Sequence, residues 1–299
     1  MINKRINISK ASFDLYPFEN RYINIGGHQL HYIEEGEGDA VVMLHGNPSW
    51  SFYYRNLIQR LSPFYHCLAP DHIGMGYSDK PGDDIYNYTL SQRVKDFEEF
   101  LEKKGIDQNI TLILHDWGGI IGMSFACRHP RAIKKIIILN TSAFHLPEGK
   151  KFPLFLNFTR TTPGEFFLRA FNSFSIGATR IGVRRTKMSS DVRKAYIAPY
   201  NSWKNRIGIL RFVQDIPLKK NDPAFDLVSD VQNNLHLFSN TPVLIAWGMK
   251  DKVFDELFLN KWVDYLPHAK VHRFEDCGHY VLEDAQEEIG KLVVDFLAK

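Results

Sequence analysis

The stretch Leu112-Ile113-Leu114-His115-Asp116-Trp117-Gly118-Gly119 constrains the fold of this chain more than any other. An apolar run stops at a polar residue and passes at once, through two glycines, into a helical pattern. A strand that feeds straight into a helix belongs to a sheet with helical crossovers, since parallel neighbours cannot be joined by tight hairpins. The turn leaves the Asp116 side chain above the sheet. The next backbone N–H then lies at a helix N-terminus, where it can stabilise an anion. Taken alone, the alternative reading of Asp116 is a plain helix cap.

The rest of the sequence repeats this alternation. Residues Arg21 to Ile33 read as a hairpin turning at Gly26-Gly27. Ala40 to Leu44, His66 to Ala69, Thr111 to Leu114 and Ile136 to Leu139 read as buried strands. Helices are expected over Trp50 to Leu61, over Leu90 to Leu101 with Thr89 as N-cap, and over Ile120 to Arg128. Short all-apolar strands separated by helices imply a mostly parallel sheet covered on both faces. From about Phe144 to Ser239 only helical patterns occur. The alternation returns at Pro242 to Trp247 and Lys270 to Phe274, and a last helix is expected from Val281 to Leu297. The expected organisation is therefore an α/β core over residues 1–142, a helical insertion over 143–239, and the rest of the core over 240–299. Such an insertion sits over the carboxyl ends of the strands, where ligands bind, and acts as a cap.

Composition narrows the function classes. Of 299 residues, 44% are hydrophobic and 24% charged, which are globular values. The excess of 37 Lys and Arg over 34 Asp and Glu is too small to imply nucleic-acid binding. Cys67, Cys127 and Cys277 fit neither a metal site nor a paired framework, so reduced thiols in a cytoplasmic protein are expected. Met1 to Phe18 has no apolar h-region, and no stretch is long and apolar enough to span a bilayer. No histidine spacing resembles a zinc helix, and nothing points to a metal or an organic cofactor.

Two residues complete the reading of Asp116. His279, in Glu275-Asp276-Cys277-Gly278-His279-Tyr280, follows the last expected strand. Asp251, in Trp247-Gly248-Met249-Lys250-Asp251, follows the strand before it. The order nucleophile, acid, histidine, each at a strand's carboxyl end, is that of a catalytic triad. His45-Gly46-Asn47-Pro48 follows the strand Ala40 to Leu44, where a second oxyanion N–H belongs. Gly46 permits close backbone approach. The loop Asp71 to Ser78 has the form GxGxS, lacks the spacing of a phosphate loop, and reads as a structural turn beside the site.

At this point the sequence resembles a known family. HGNPSW, DHIGMGYSDKP, HDWGG, WGMKD and EDCGHY, spread from about Tyr16 to the C-terminus, are similar to motifs of α/β-hydrolases of the haloalkane dehalogenase group. HDWGG is shared with epoxide hydrolases, whereas Asn47 in HGNP distinguishes the dehalogenases. The resemblance implies that the Asn47 amide and the Trp117 indole N–H bind the leaving anion. It also implies that Asp251 is the triad acid, because Asn140 stands where some dehalogenases carry a carboxylate. That pairing resembles the third dehalogenase subgroup, which includes the β-lactone decarboxylases of head-to-head olefin biosynthesis. HGNPSWSFYYR, Arg211 to Pro217 and His272 to Asp276 resemble these most.

A carboxylate nucleophile suits displacement at an sp³ carbon. The expected activity is decarboxylation of long-chain disubstituted β-lactones to cis-alkenes, with dehalogenation of haloalkanes as the alternative. Epoxide hydrolysis is a third reading, for which Tyr196 and Tyr200 are the available acids, and a ligand-binding receptor is a non-enzyme reading. Phe residues of the insertion (152, 155, 158, 166, 167, 171, 174 and 212), with Trp203, would line an apolar pocket or pack the cap on the core. Lys150, Lys151, Arg160, Arg169, Arg180, Arg184, Arg185 and Lys187 read first as a solvated face and second as a docking surface for lipids or a partner enzyme. A complex with other enzymes of the pathway is implied by the resemblance alone.

Overall fold

The computed structural model describes residues 15–299; most of the Met1 to Phe18 segment lies outside them. The eight strands form one sheet in the order β1-β2-β4-β3-β5-β6-β7-β8. β1 (Arg21–Ile25) and β2 (His28–Glu35) make the expected hairpin. Gly26 and Gly27 take φ values of 56° and 88° there, the left-handed region that a two-residue connection needs. β2 pairs antiparallel with β4 (His66–Pro70). Every later pairing is parallel, through β3 (Ala40–Leu44), β5 (Ile110–Asp116), β6 (Ile133–Thr141), β7 (Val243–Gly248) and β8 (Lys270–Phe274). β3, β5 and β7 are buried at every residue, as strands covered on both faces must be. β8 is the edge strand opposite β1, and the charged side chains of Lys270 and Arg273 sit there in solvent.

The flanking helices include α1 (Arg55–Leu61), α2 (Leu90–Lys104) and α3 (Trp117–Arg128). Thr89 caps α2 as expected, its hydroxyl accepting the Gln92 N–H at 3.3 Å. Between β6 and β7 the chain forms α4 (Leu154–Thr159), α5 (Thr162–Phe171), α6 (Ser173–Ile181), α7 (Ser190–Ile197), α8 (Ile207–Gln214) and α9 (Phe225–Asn234), with no strand. α10 (Glu256–Tyr265) joins β7 to β8.

Two helices differ from expectation, and a buried carboxylate sits beside each difference. The segment expected as a helix from Trp50 begins with a 3-10 turn, Ser51–Tyr54, where Asp71 accepts the Ser51 N–H at 2.7 Å. The last helix breaks at Ala285 (φ −129°, ψ 42°) into α11 (Val281–Asp284) and α12 (Gln286–Leu297). Asp284 is buried and accepts the N–H groups of Gly278, Arg184, Arg185 and Thr186 at 2.7 to 3.2 Å. It thereby ties the loop before Tyr280 to the helical segment above the sheet.

The Asp71 loop is the structural turn the sequence implied. Its buried carboxylate accepts the Ser51 and Tyr77 N–H groups and pairs with His31 Nδ1 at 2.8 Å. Gly76 is required because a Cβ there would overlap Asp71 Oδ2. Burial alone would raise the Asp71 carboxyl, but His31, His45 and the Ser51 N–H outweigh it and hold the group at about 2. A carboxyl depressed by folding stabilises the protein above its unfolded value near 3.8 and loses that contribution as pH falls through its folded value. Asp71→Ala strands these donors in the interior. It is expected to cost about 3–5 kcal/mol in denaturant unfolding at pH 7, and less when unfolding is measured near pH 3.

Candidate active site

Asp116 is the last residue of β5 and takes φ 50° and ψ −124°, outside the regions open to most side chains. The chain can hold this turn because its neighbours are small. A Cβ at Gly118 would overlap the Leu44 carbonyl, and one at Gly119 the Thr141 hydroxyl, so α3 packs directly on β3 and β6. The Thr141 hydroxyl also donates to the Asp116 carbonyl. Strain stored at one residue and paid for by such packing is typical of a functional turn.

The two oxygens of Asp116 have different surroundings. Oδ1 accepts the Asn47 backbone N–H at 2.6 Å. Oδ2 faces His279 Nε2 at 3.6 Å. Burial pushes the carboxyl above its ordinary value, while His279 and the backbone N–H groups of Asn47 and Trp117 pull it down. The result is a poorly solvated carboxylate with one oxygen anchored and the other available. Gly46 makes the approach possible, since a Cβ there would overlap Asp116 Oδ1. Gly46→Ala is expected to displace that carboxylate by about an ångström or more and to lower kcat by ~10²-fold with the fold intact, measured by turnover beside circular dichroism.

His279 is oriented from its other nitrogen. Nδ1 lies 2.7 Å from Asp251 Oδ2. Asp251 is buried, and its carboxylate also accepts the Val253 N–H at 2.7 Å and the Asn140 amide at 3.1 Å. Burial lowers the His279 imidazole, but Asp251 and Asp116 outweigh it and leave the ring above its ordinary value. The His279 carbonyl accepts from the His115 ring at 2.9 Å. Asp116, His279 and Asp251 thus form one continuous chain of contacts across three loops.

Asn47 and Trp117 both line the cavity beside Asp116. The Asn47 side chain is less free than expected: its amide nitrogen donates to the Ile209 carbonyl at 3.0 Å, leaving one N–H for an anion. Its Oδ1 is buried without a partner among the described residues. Trp117 packs on Phe212 with ring centroids 5.0 Å apart. Phe212 in turn lies over the buried Arg93 guanidinium, 3.8 Å away, which pairs with Asp215 at 3.1 Å. Asp215 also caps α2 through the Leu90 N–H at 2.5 Å. Arg93, Asn140, Asp215 and Asp284 were not assigned positioning roles from sequence. Nothing in the local sequence marks them, and only the tertiary contact gives each its role.

The cavity measures about 600 Å³ and is mainly apolar. Phe152, Phe155, Phe158 and Phe174 of the helical segment line it, facing Phe144, Phe254 and Phe258. Phe166, Phe167, Phe171 and Trp203 do neither of the two things expected of them; they stand exposed. Among the described residues no tyrosine lines the cavity. Tyr196 donates to Glu283 at 2.6 Å and Tyr200 to the Ser49 carbonyl at 3.2 Å, both buried, so the tyrosines considered as epoxide acids are engaged elsewhere. Among the described residues no cluster of His, Cys, Asp and Glu could hold a metal.

A family model described as alpha/beta hydrolase fold matches residues 39–286. A cis-3-alkyl-4-alkyloxetan-2-one decarboxylase of Shewanella oneidensis is 52% identical over 95% of this chain and 90% of its own length. A protein of the same name from Xanthomonas campestris pv. campestris is 45% identical over 95% and 97%. The crystal structure of a haloalkane dehalogenase from Agrobacterium tumefaciens C58 superposes with a TM-score of 0.84 at 24% identity, covering 94% of this chain and 96% of that one. This chain belongs to the α/β hydrolase fold family, in the haloalkane dehalogenase-like group that includes the oxetanone decarboxylases.

Proposed function

We propose that the protein decarboxylates long-chain cis-3,4-dialkyl β-lactones to cis-alkenes, with Asp116 as nucleophile. The observation that carries this reading is a single free carboxylate oxygen, Asp116 Oδ2, at the floor of an apolar cavity of about 600 Å³. The relatives named for this activity support the choice of lactone.

The reaction balances with these groups. Asp116 Oδ2 attacks the sp³ ring carbon that bears oxygen. The ring C–O bond breaks, and its electron pair leaves as a carboxylate that accepts hydrogen bonds from the Asn47 amide and the Trp117 indole N–H. Donors preorganised in this way are each worth ~3 kcal/mol of barrier. The bond to the carboxylate carbon then breaks, CO2 departs, and its electron pair forms the alkene as the ester C–O pair returns to Asp116. Inversion in the first step and anti departure in the second together preserve the cis relation of the alkyl chains. No water or proton is consumed. His279, held by Asp251, supports negative charge on Asp116.

One observation favours haloalkane hydrolysis as the second reading. An imidazole oriented by Asp251 and 3.6 Å from Asp116 is placed to activate water against an alkyl ester, a step the lactone route does not require. The two readings separate when the purified protein receives a cis-dialkyl β-lactone or, separately, 1-bromohexane. Fast alkene with slow bromide release is expected; fast bromide without alkene overturns the proposal. Among the described residues no helix is long and apolar enough to cross a membrane. The unpaired thiols of Cys67, Cys127 and Cys277 support a reducing, cytoplasmic setting, and apolar small molecules are the expected partners.

A further inference from the structure

The exposed aromatic side chains above the cavity form one patch. Phe166 packs against Phe167, Phe171 and Trp203 with centroids 6.1, 6.0 and 6.0 Å apart. Phe158 joins through Phe167 at 6.2 Å. These rings are far from buried: Phe166 is 52% and Phe171 59% exposed, and Leu154 nearby in sequence is 84% exposed. A monomer rarely presents so many large apolar side chains together unless something covers them.

Charge says what covers them. Between residues 150 and 206 lie twelve Lys or Arg and two acidic residues, in a chain whose total is +3. The remainder of the chain is therefore net acidic, and positive charge is concentrated on the helical segment. Lys151, Arg180 and Lys204 are exposed beside Leu154, Ile181 and Trp203 in sequence, and form no ion pair with a described residue. Arg169 lies 4.5 Å from the Trp203 ring centroid. Aromatic and aliphatic side chains ringed by cations fit an anionic lipid surface, with the rings among the acyl chains and the cations at the phosphates.

The cavity opens through the same face. Phe155, Phe158 and Ile181 both line the cavity and stand exposed at its rim. We propose that α4–α6 and Trp203 dock on an anionic bilayer, so that an apolar substrate enters the cavity from lipid without crossing water. The choice of substrate rests on the lactone reading above; the docking itself does not.

Sedimentation with vesicles tests the docking without using activity. The protein is mixed with phosphatidylglycerol–phosphatidylcholine vesicles or with pure phosphatidylcholine vesicles. Binding to the anionic vesicles is expected, weaker at 0.5 M salt and at least about tenfold weaker to pure phosphatidylcholine. Phe166→Asp with Phe171→Asp is expected to abolish binding while leaving circular dichroism and turnover of 1-bromohexane or a short, soluble lactone unchanged, since neither residue lines the cavity. Absence of binding, or binding that survives the double substitution, overturns the proposal. So does a wild-type dimer in sedimentation velocity that the double substitution dissociates, which would assign the patch to a second copy of this chain. If turnover fails on every substrate while docking persists, the substrate reading falls and the docking stands.

Discussion

Asp116→Ala is expected to lower alkene formation by at least ~10⁴-fold while leaving the melting temperature unchanged or raised. The rate loss follows from chemistry: among the described residues the other acid lining the cavity is Asp251, which is buried with its oxygens held by His279, Val253 and Asn140. The stability effect follows from burial. Folding raises the Asp116 carboxyl, so the charged form destabilises the native state at pH values above that of its unfolded counterpart. Removing the side chain removes that cost, which offsets the loss of the Asn47 N–H bond to Oδ1. With Asp116 as the proposed nucleophile, held against its own preference, the variant is expected to be dead and no less stable. A variant that loses turnover together with several degrees of melting temperature would instead mark Asp116 as a structural cap. An unchanged ligand response in Asp116→Ala would favour the receptor reading. The readouts are gas chromatography of alkene and thermal unfolding at pH 7.5.

The elements that position this site were legible in sequence for identifiable reasons. The buried strands announced themselves because a parallel strand must be apolar on both faces, and Ala40 to Leu44 and Ile136 to Leu139 have no other reading. Asp116 stands out as the candidate nucleophile because an acid between an apolar strand and Gly118-Gly119 matches a strand–turn–helix elbow, with a helix cap as its alternative. What could not be read were contacts between residues distant in sequence. Asn140 was discarded as a carboxylate, yet its amide holds both the Gly248 backbone and Asp251. Asp284 falls inside an expected continuous helix, yet it ends a short one and accepts four N–H groups from two loops. The aromatic residues of the helical segment show the limit most clearly. Composition says that Phe is abundant; only the fold sorts Phe155 and Phe174 into the cavity and Phe166 and Phe171 onto the surface.

His279→Gln is expected to separate the two reactions that this carboxylate can begin. With 1-bromohexane, Asp116 still displaces bromide, but no imidazole remains to activate water, so the protein stops as a hexyl ester. One equivalent of bromide should be released in a burst, steady turnover should fall by ~10⁴-fold, and intact mass should rise by a single alkyl group. With the lactone, the second step is loss of CO2 from the ester itself, which needs neither water nor a proton. Alkene formation should then fall by only ~10²-fold, through loss of the cationic neighbour of Asp116 and of the Asp251 alignment. The pH profiles should differ in the same sense. Hydrolysis requires neutral imidazole, and Asp251 and Asp116 hold the ring above its ordinary value despite burial. Bromide turnover by the wild type should therefore rise with pH through a limb above 6.5, whereas alkene formation should be flat or fall there as the imidazolium is lost. Equal losses on both substrates would place water or proton transfer inside the lactone reaction as well. The triad would then act as one unit in both chemistries, and the waterless ring opening proposed here would have to be abandoned.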